Sequence, residues 1–486
     1  MPSLAQKTSN ANRLINICKT FDLFTDRAGT GWIGLPTANG YPEFVPLRSQ
    51  KFAGWACAEF YRKFGTPIGE KALRDAQNTL YGIAAQTVKD VYVRVASLPD
   101  AIYVDLGQGY IEITADGWDT IQKPPVPFRR PAGMRPLPFP AMPFSGMLYD
   151  AFADLLGLSR DDLLLIIGWI FGAFGNTEYP ILVINGEQGS GKSTLAEILK
   201  RLIDPSEVLL RSMPRDEQAL AVAAANGWVV TLDNLSGLPD WLSDALCRIS
   251  TGAGYSARRL YQDLEEVFAQ TRRPVILNGI PELASRGDLQ DRSIVITLPP
   301  ISELQRRTKA AIMQSFETAL PSLLSMLFEA LQYALALRDE NFAAKLPRMA
   351  DFSLWAARAC EGMSYGSGRL FLEAYRRNRE NATLALLDLS PIAQEIQAFT
   401  NKNTHWTGTA TDLKDKLILQ CLGTPTEKTL QHMSVKAFAN ELRRLAPVLR
   451  QVGIAVEFQG LRKVNGIVGR FIEITDLSVF QRVNVP

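Results

Sequence analysis

A glycine-rich segment between an apolar strand and a helix limits most strongly the folds open to this chain. Residues 186–194 read Gly-Glu-Gln-Gly-Ser-Gly-Lys-Ser-Thr, which fits the phosphate-binding pattern G-x-x-x-x-G-K-[ST]. The apolar residues 181–184 precede this loop, and a helix is predicted to begin near Lys192. A glycine-rich turn before an unrelated helix is the alternative, but the strand-loop-helix context favours a nucleotide site.

The loop also predicts which groups hold the nucleotide. Its glycines let successive amide N–H groups face the phosphates, Lys192 would reach the β- and γ-phosphates, and the Ser193 hydroxyl would join the shell of Mg²⁺. We therefore expect ATP and Mg²⁺ as cofactors. The expected ATP-binding residues are Gly186, Glu187, Gln188, Gly189, Ser190, Gly191, Lys192, Ser193 and Thr194.

Two later apolar strands end in polar residues. Residues 228–232 lead into Asp233 and Asn234, and Asp233 stands where a Walker B aspartate holds Mg²⁺ at the carboxyl edge of a sheet. Residues 274–277 lead into Asn278, an amide suited to orient water or to sense the γ-phosphate, although a turn former is the alternative. Apolar strands that alternate with helices predict an α/β fold with a parallel sheet covered on both faces.

Changes in residue composition and hydrophobic pattern divide the chain into segments. The first reads as mixed α/β, with helices near residues 52–64 and 71–84 and strands at 91–95 and 101–105. The second carries eight prolines between residues 123 and 144, which predicts an extended basic linker that separates two domains. The expected segments are an amino-terminal α/β domain (1–120), this linker (121–146), a helical entry with the P-loop core (147–300), a helical domain (301–388) and a carboxyl-terminal module (389–486).

The carboxyl-terminal module predicts a DNA-binding fold. A helix is expected after residues 409–412 and a second, with one apolar face, after Ser434, followed by strands at 455–458 and 470–474. Two helices followed by a basic-tipped hairpin resemble a winged helix, whose second helix can enter the major groove. Packing against other proteins is the alternative. The candidate DNA-binding residues here are Lys436, Arg443, Arg444, Arg462 and Lys463.

A second DNA-facing candidate lies between the Walker B strand and Asn278. Arg258, Arg259 and Tyr261 combine cations that neutralise phosphates with a ring that can stack on a base, which suits single-stranded DNA. Acidic residues follow at positions 263, 265 and 266, so ion pairing on a solvated surface is the alternative.

Walker A, Walker B and a strand-end asparagine within about a hundred residues resemble the superfamily 3 helicases of viruses, phages and plasmids. Residues 231–236 (TLDNLS), 258–261 (RRLY), 276–280 (ILNGI) and 289–292 (LQDR) are similar to the ATPases of prophages and integrative elements. The resemblance covers nearly the whole chain. It implies an AAA+ fold, a ring that we expect to be a hexamer, and a replication helicase that often acts alongside a separate primase.

The resemblance also assigns two local roles. It places residues 258–261 in a hairpin that projects into the pore of the ring. It makes Arg292 an arginine finger, which brings a permanent cation to the γ-phosphate bound by the neighbouring subunit. A salt bridge from Arg292 to Asp288 or Asp291 is the alternative, and Arg286 is the substitute candidate.

The chain departs from the AAA+ pattern at Asn234. Many AAA+ enzymes carry Glu after the Walker B Asp as the base that activates water, whereas an amide can position water but cannot take its proton. Three explanations remain open: catalysis relies on positioning and charge, a carboxylate such as Glu187 assists, or turnover is slow.

Composition excludes several other classes of site. The 52 basic and 50 acidic residues nearly cancel, so DNA contacts must come from local patches. The five cysteines and two histidines show no zinc-like spacing and predict reduced thiols, mostly in cores. The apolar run 163–174 is too short for a membrane span and no leader opens the chain, so a cytoplasmic location without membrane contact is expected.

The leading hypothesis is an ATP-dependent DNA helicase or translocase that acts as a ring in the replication of a mobile genetic element. The alternative is an ATP-switched DNA-binding AAA+ protein, an initiator or transposition helper, that does not unwind DNA. A small-molecule P-loop kinase would leave Asn278, Arg292 and the winged helix without roles. A primase is disfavoured because residues 1–120 show no acidic pair with an associated histidine.

Overall fold

Two compact units make up the computed structural model of the chain, Met1–Leu283 with Ile296–Ala374, and Ala284–Val295 with Tyr375–Pro486. The residues that the structure describes are 9–37, 40–141, 150, 152–153, 156, 158–252, 255–258, 266–269, 272–279, 283, 286–303, 306–337, 346–464 and 467–477.

The first unit opens with a helix, an antiparallel sheet and two further helices. Their apolar faces meet in one core that includes Phe52, Phe60 and Leu80. The helices predicted near residues 52–64 and 71–84 are present. The elements are α1 (Asn10–Cys18), β1 (Leu23–Thr25), β2 (Gly31–Pro36), β3 (Pro42–Pro46), α2 (Gln50–Phe64) and α3 (Glu70–Ala84), with sheet order β1-β2-β3.

A four-stranded antiparallel sheet follows, and it corrects one sequence-based expectation. The strand predicted at residues 91–95 is wrong, since regular pairing begins only at Val95. Arg94 has a φ of 61°, in the left-handed region, and its fully buried guanidinium donates to the Asp105 carbonyl oxygen at 2.7 Å. The strands are β4 (Val95–Ser97), β5 (Ala101–Asp105), β6 (Tyr110–Thr114) and β7 (Trp118–Ile121), in the order β4-β5-β6-β7.

The proline-rich segment lies along the first unit. Residues 127–141, which we call the proline strap, lack regular secondary structure. Their backbone nevertheless forms hydrogen bonds with residues before and after them in the sequence. The partners lie directly after β5, directly after the helix that begins at Lys192, and in a later long helix. These bonds run from Arg135 N–H to Pro205 O (2.9 Å), Glu207 N–H to Gly133 O (2.8 Å), Leu137 N–H to Leu106 O (2.9 Å) and Ala141 N–H to Pro321 O (3.0 Å).

The parallel sheet expected from the apolar strands is confirmed. β12 pairs in parallel with both β8 and β9, and the strand order is β13-β8-β12-β9. Arg211 adds a short parallel bridge to Leu232 at the β9 edge. The elements are α4 (Arg160–Gly172), β8 (Ile181–Gly186), α5 (Lys192–Ile203), α6 (Glu217–Ala225), β9 (Val230–Leu235), α7 (Asp240–Thr251), β10 (Tyr255–Arg258), β11 (Glu266–Ala269), β12 (Val275–Gly279), α8 (Gly287–Gln290) and β13 (Ser293–Leu298).

Long helices follow the sheet, as predicted for residues 301–388: α9 (Lys309–Ala336), α10 (Ala350–Met363) and α11 (Ser367–Leu389). Within the described part of the chain, α9 passes a length and composition test for a membrane span. However, 61% of its most apolar window is buried within the fold. A core helix has the same properties.

The second unit contains a helical module with a three-stranded antiparallel sheet of order β14-β16-β15. Its core includes Ile396, Leu413, Phe438, Leu442 and Ile474. Both predicted helices and both predicted strands are present, but α12, α14 and β14 were not predicted. The elements are α12 (Pro391–Lys402), β14 (His405–Thr409), α13 (Ala410–Gln420), α14 (Pro425–His432), α15 (Val435–Gln451), β15 (Ile454–Val464) and β16 (Ile467–Asp476).

Candidate functional site

The glycine-rich loop connects the carboxyl end of β8 to the first turn of α5. Gly186, Gly189 and Gly191 have φ angles of 148°, 83° and 87°, which side-chain-bearing residues rarely adopt, so only glycine fits the curl. Gly191 caps α5, and its carbonyl oxygen accepts the first helical bond, from Leu195 N–H at 2.9 Å. The loop therefore ends at a helix amino terminus, where free N–H groups and the helix dipole favour an anion.

The cation of this loop is held over the loop itself. Lys192 Nζ donates to the carbonyl oxygens of Gly186 and Glu187, both at 2.7 Å. These are weak anchors compared with a phosphate, since neither acceptor carries a formal charge. The ammonium is thus positioned inside the curl of the loop, where an incoming phosphate would compete for it.

Ser193 and Asp233 join the loop to the second strand. Ser193 Oγ donates to Asp233 Oδ1 at 2.9 Å. A hydroxyl and a carboxylate are both oxygen ligands of the kind that Mg²⁺ prefers. The pair therefore fits a magnesium ion that would lie at the carboxyl edge of the sheet.

The neighbouring strand brings Asn278 to the same edge. Asn278 Oδ1 accepts from the backbone N–H of Asn234 at 2.9 Å, and the side chain is 1% exposed. The Asn278 Nδ2 group has no hydrogen-bond partner among the described residues. A buried donor without an acceptor is costly, so this amide fits a ligand that supplies an oxygen.

The backbone around Asn278 is shaped so that the ends of β9 and β12 come close enough for this hydrogen bond. Asn234 has a φ of 54°, which asparagine tolerates better than most residues, and its side chain is exposed. The β9–β12 register shifts between Leu277 and Gly279. A Cβ at Gly279 would overlap the Leu235 carbonyl oxygen, so glycine lets the two strand ends converge.

A hairpin stands between the Walker B strand and β12, where the sequence predicts DNA contacts. Strands β10 and β11 are antiparallel, and Arg258 faces Glu266 in the register. Cross-strand partners share a face of the hairpin, which keeps the ion-pairing alternative open for Arg258. Arg259 and Tyr261 lie outside the described residues.

Two arginines fix the end of this hairpin to the core. Arg272 Nη2 donates to Asn176 Oδ1 at 2.5 Å, and its guanidinium lies 5.5 Å from the Tyr179 ring centre. Arg273 lies over the Trp228 ring at 5.0 Å, and its Nε donates to the Gly227 carbonyl oxygen at 3.0 Å. Burial lowers the pKa of Arg273 to about 10. These contacts hold Arg272 and Arg273, which precede β12, against residues that precede β8 and β9.

Arg292, in the second unit, is half-buried and makes a backbone contact. Its Nη1 donates to the Asp288 carbonyl oxygen at 3.0 Å. The Asp288 carboxylate lies 3.6 Å from Arg286 Nε, and Asp291 pairs with Arg379 at 3.1 Å. Each of the two carboxylates considered as a salt-bridge partner for Arg292 therefore has another arginine beside it.

The candidate DNA-binding residues of the carboxyl-terminal module lie on α15 and β15. Lys436 is exposed. Arg443 donates to Asn440 Oδ1 at 3.0 Å and covers the Phe458 ring at 4.8 Å, whereas Arg444 pairs with Glu441 at 2.7 Å. Phe438, Leu442, Leu445 and Leu449 form the opposite, buried face of the helix. Residues Arg462 and Lys463 belong to β15, in the register with Gly469 and Val468.

An ionic cluster at the carboxyl end of α5 has no signature in the local sequence. Asp204, at the carboxyl end of α5, accepts from Lys200 Nζ at 2.5 Å and from Arg94 Nε at 3.3 Å. It also accepts from the backbone N–H groups of Trp228 and Val229, at 2.7 and 3.1 Å. Although burial raises its pKa, Lys200 and Arg94 hold the pKa of Asp204 at about 2. The cluster joins the residue before β4 to α5 and to the residues that lead into β9.

Two family models match the chain in sequence. Residues 154–383 match the actinomycete integrative conjugative element replication protein, and residues 392–482 match the carboxyl-terminal domain of the same kind of protein, AICE RepA. No curated protein matches significantly.

Two solved structures are similar to this chain at low identity. SCCmec type IV Cch, described as an active helicase, is 14% identical, with a TM-score of 0.44 over 96% of this chain and 95% of that one. The apo carboxyl-terminal region of NrS-1 is 13% identical, with a TM-score of 0.42 over 96% and 99% of the two chains.

The glycine-rich loop, Asp233 and Asn278 lie inside the first matched region. Helix α15 and strands β15 and β16 lie inside the second. Over residues 154–383 and 392–482, this chain thus matches, in order, the two family models of the replication protein of actinomycete integrative conjugative elements.

Proposed function

We propose that the chain is an ATP-hydrolysing DNA helicase or translocase that serves in the replication of a mobile genetic element. The observation that carries the proposal is the convergence of Lys192, Ser193, Asp233 and Asn278 at one edge of a parallel sheet. There Ser193 donates to Asp233, and the Asn234 N–H group donates to Asn278. The family matches support a role in replication and the class of genetic element.

In this proposal the loop residues 186–194 hold the phosphates of ATP, with Lys192 as the charge that leaves its carbonyl partners for them. Ser193 and Asp233 would hold Mg²⁺. The magnesium ion neutralises charge that develops on the phosphates. The unpaired Nδ2 of Asn278 would donate to the γ-phosphate or to the attacking water. Asn234 would position that water without accepting its proton.

Two surfaces would contact DNA. The β10–β11 hairpin, with Arg258, Arg259 and Tyr261, would enter the pore of a hexameric superfamily 3-like AAA+ ring and grip a single strand. The order of α13, α14, α15, β15 and β16 supports a winged helix. Its α15 would present Lys436, Arg443 and Arg444 to duplex DNA, with Arg462 and Lys463 on the wing. Arg292 would act as the finger toward a neighbouring subunit.

A second candidate function follows from Asn234. Its side chain cannot serve as the proton acceptor that a glutamate provides, so hydrolysis could be slow enough for ATP to act as an assembly switch on DNA. Such an initiator or helper would bind DNA in an ATP-dependent way without separating strands. The two functions differ in one observable, strand separation coupled to hydrolysis.

The experiment compares wild type with Lys192→Ala on a forked duplex carrying a fluorophore and a quencher. A helicase separates the strands with wild type and ATP, and not with Lys192→Ala or with a non-hydrolysable ATP analogue. Arg215→Ala, which removes an 89% exposed arginine side chain outside the site, is the matched control and should unwind normally. ATP-dependent DNA binding without any strand separation would contradict the helicase proposal and support the ATP-switched DNA-binding protein.

A further inference from the structure

An open surface cavity with mostly polar lining residues lies in the amino-terminal part of the chain, between the start of α2 and the middle of α3. Its volume is about 460 Å³, and its lining includes Arg48, Ser49, Gln50, Arg74, Gln77 and Asn78. None of these residues belongs to the phosphate-binding loop or to the edge of the parallel sheet. The cavity therefore belongs to a part of the molecule to which the proposed function gives no role.

The charges at this cavity are positive. Two of its lining residues are arginines and none is acidic. Arg74 pairs with Glu70 at 2.7 Å, but their side chains are 70% and 83% exposed, so water screens this pair strongly. Glu43, the acid before α2, is engaged by Lys51 at 2.5 Å. An anion in the cavity would meet Arg48 and would compete with Glu70 for Arg74.

Arg48 is held in place before any ligand binds. Its Nη2 donates to Asn78 Oδ1 at 3.3 Å, and its guanidinium lies 5.5 Å from the Tyr81 ring centre. Gln77 Nε2 donates to the Leu47 carbonyl oxygen at 2.8 Å, which fixes the backbone next to Arg48. Because these contacts already restrict Arg48, less side-chain freedom is lost when a ligand binds.

The unused polar groups define the chemistry of the ligand. A guanidinium matches the oxygens of a phosphate bidentately, and two of them border the cavity. The bonds to Arg48 and to Leu47 engage one end of each amide side chain, Asn78 Oδ1 and Gln77 Nε2. The opposite ends, Asn78 Nδ2 and Gln77 Oε1, suit the sugar or base next to a phosphate.

We propose that this cavity, the arginine cavity (Arg48, Arg74, Gln77 and Asn78), binds a phosphate group of a nucleotide. The phosphate is carried either by a single-stranded nucleic acid or by a free nucleotide. The proposal gives the amino-terminal part of the chain a ligand, and it holds whether or not the chain unwinds DNA.

The test uses the full chain with Arg48→Ala and Arg74→Ala combined. The control, Arg27→Ala with Arg62→Ala, removes the same charge from arginines whose side chains are 75% and 68% exposed. Binding of a fluorescein-labelled oligothymidylate is followed by anisotropy at several salt concentrations. The cavity variant should bind more weakly, with a log-log salt slope reduced by about 0.7 for each phosphate that the protein no longer neutralises, and the control should match wild type.

A second arm separates the two sources of phosphate. Thymidine 3′,5′-bisphosphate is titrated by calorimetry in a Lys192→Ala background, which removes the phosphate-binding lysine of the P-loop. Binding that disappears with the cavity substitutions while oligothymidylate binding stays unchanged assigns a free nucleotide to the cavity. Arg74→Gln alone leaves the contacts of Arg48 intact and covers the case in which the double variant fails to fold. Equal behaviour of cavity and control variants with both probes overturns the proposal.

Discussion

The guanidinium of Arg94 lies 3.3 Å from the carboxylate of Asp204, although 110 positions separate the two residues in sequence. Both side chains are buried, with exposures of 0% and 3%. Lys200 completes the cluster from one turn earlier in the P-loop helix. Arg94 lies immediately before β4, so the amino-terminal part and the part that carries the parallel sheet share one buried ionic core.

Asp204→Asn is expected to destabilise the first unit by about 3–5 kcal/mol at neutral pH, because two buried cations lose their charged partner. Chemical unfolding followed by circular dichroism measures the change. Glu70→Gln, which removes one partner of an exposed pair, is the matched control and should change stability by less than about 1 kcal/mol. Equal stability of Asp204→Asn and wild type would contradict the role of the cluster.

The same substitution should change the acid sensitivity of the protein. The pKa of Asp204 is lowered from 3.8 to about 2, so its contribution to stability is complete above about pH 4 and disappears as the pH falls through 2. Lys200 and Arg94 stay protonated throughout that range, so Asp204 is the titrating member. Asp204→Asn should therefore lose less stability than wild type between about pH 4 and pH 2. Parallel stability curves would show that other carboxyls dominate acid unfolding.

Asn278→Asp tests the unpaired amide. The aspartate keeps an oxygen for the Asn234 N–H group but lacks the Nδ2 donor. Turnover should fall by about 10²- to 10³-fold, as for removal of one preorganised donor, while ADP binding should change little. Steady-state ATPase assays and ADP titration measure the two quantities. Asn226→Asp, at the exposed end of α6, is the control, and an active Asn278→Asp enzyme would remove this residue from the site.

Arg292→Ala is expected to spare nucleotide binding and abolish turnover, since its partner phosphate would sit on the adjacent subunit. Mixing this variant with Lys192→Ala should restore some ATPase activity, because a mixed ring can contain an interface with both groups intact. Arg286→Ala is the comparison variant and should remain active. If the subunits of the two variants are shown to exchange and no mixing ratio restores ATPase activity, the proposal that Arg292 acts on the neighbouring subunit is wrong.

Arg258→Ala combined with Tyr261→Ala separates grip on DNA from hydrolysis. If both residues face the pore, ATP hydrolysis without DNA should stay near wild type, whereas unwinding should collapse. Removing a single stacked ring weakens binding by roughly 1–3 kcal/mol. If Arg258 instead pairs with its register partner Glu266 to hold the subunit together, ATPase activity, assembly and unwinding will decline in parallel.

Arg462→Ala with Lys463→Ala should weaken duplex binding in a salt-dependent way, with the slope lowered by about 0.9 for each DNA phosphate that the variant leaves without a cation. Anisotropy with a labelled duplex at several salt concentrations measures both. Lys416→Ala with Lys428→Ala removes the same charge from exposed positions on α13 and α14 and should leave the slope unchanged. An unaltered slope in the Arg462→Ala, Lys463→Ala variant would indicate that this module contacts proteins rather than DNA.

The candidate nucleotide-site residues Lys192, Asp233 and Asn278 could be predicted because the residues directly before each of them form a recognisable pattern. Glycines at fixed intervals precede Lys192, and apolar strands end at Asp233 and at Asn278. Parallel pairing of β8, β12 and β9 then brings those strand ends to one edge. The hydrogen bond from Asn234 N–H to Asn278 depends on a register shift, which no local pattern announces.

Contacts between distant segments could not be predicted in this way. An apolar and basic stretch that includes Arg94 fits a strand, yet tertiary bonds to Asp105 and Asp204 turn its backbone to a φ of 61°. Strand β14 has only five residues and pairs with β16, 70 positions away from His405 at Thr475. Its short polar sequence has no clear alternation, so pairing rather than propensity determines it.

The proline strap also has consequences for how the chain is made. It leaves the ribosome before every partner that lies later in the sequence, and Ser325, whose Oγ donates to the Ala141 carbonyl oxygen at 2.7 Å, follows 184 positions later. Domains generally fold as units during synthesis, amino end first. Here the amino-terminal sheets can pair early and can already cover Phe128 of the strap, but the end of the strap at Ala141 must wait for α9. The strap is therefore completed in two stages, its first part with residues made before it and its last part with residues made long after it.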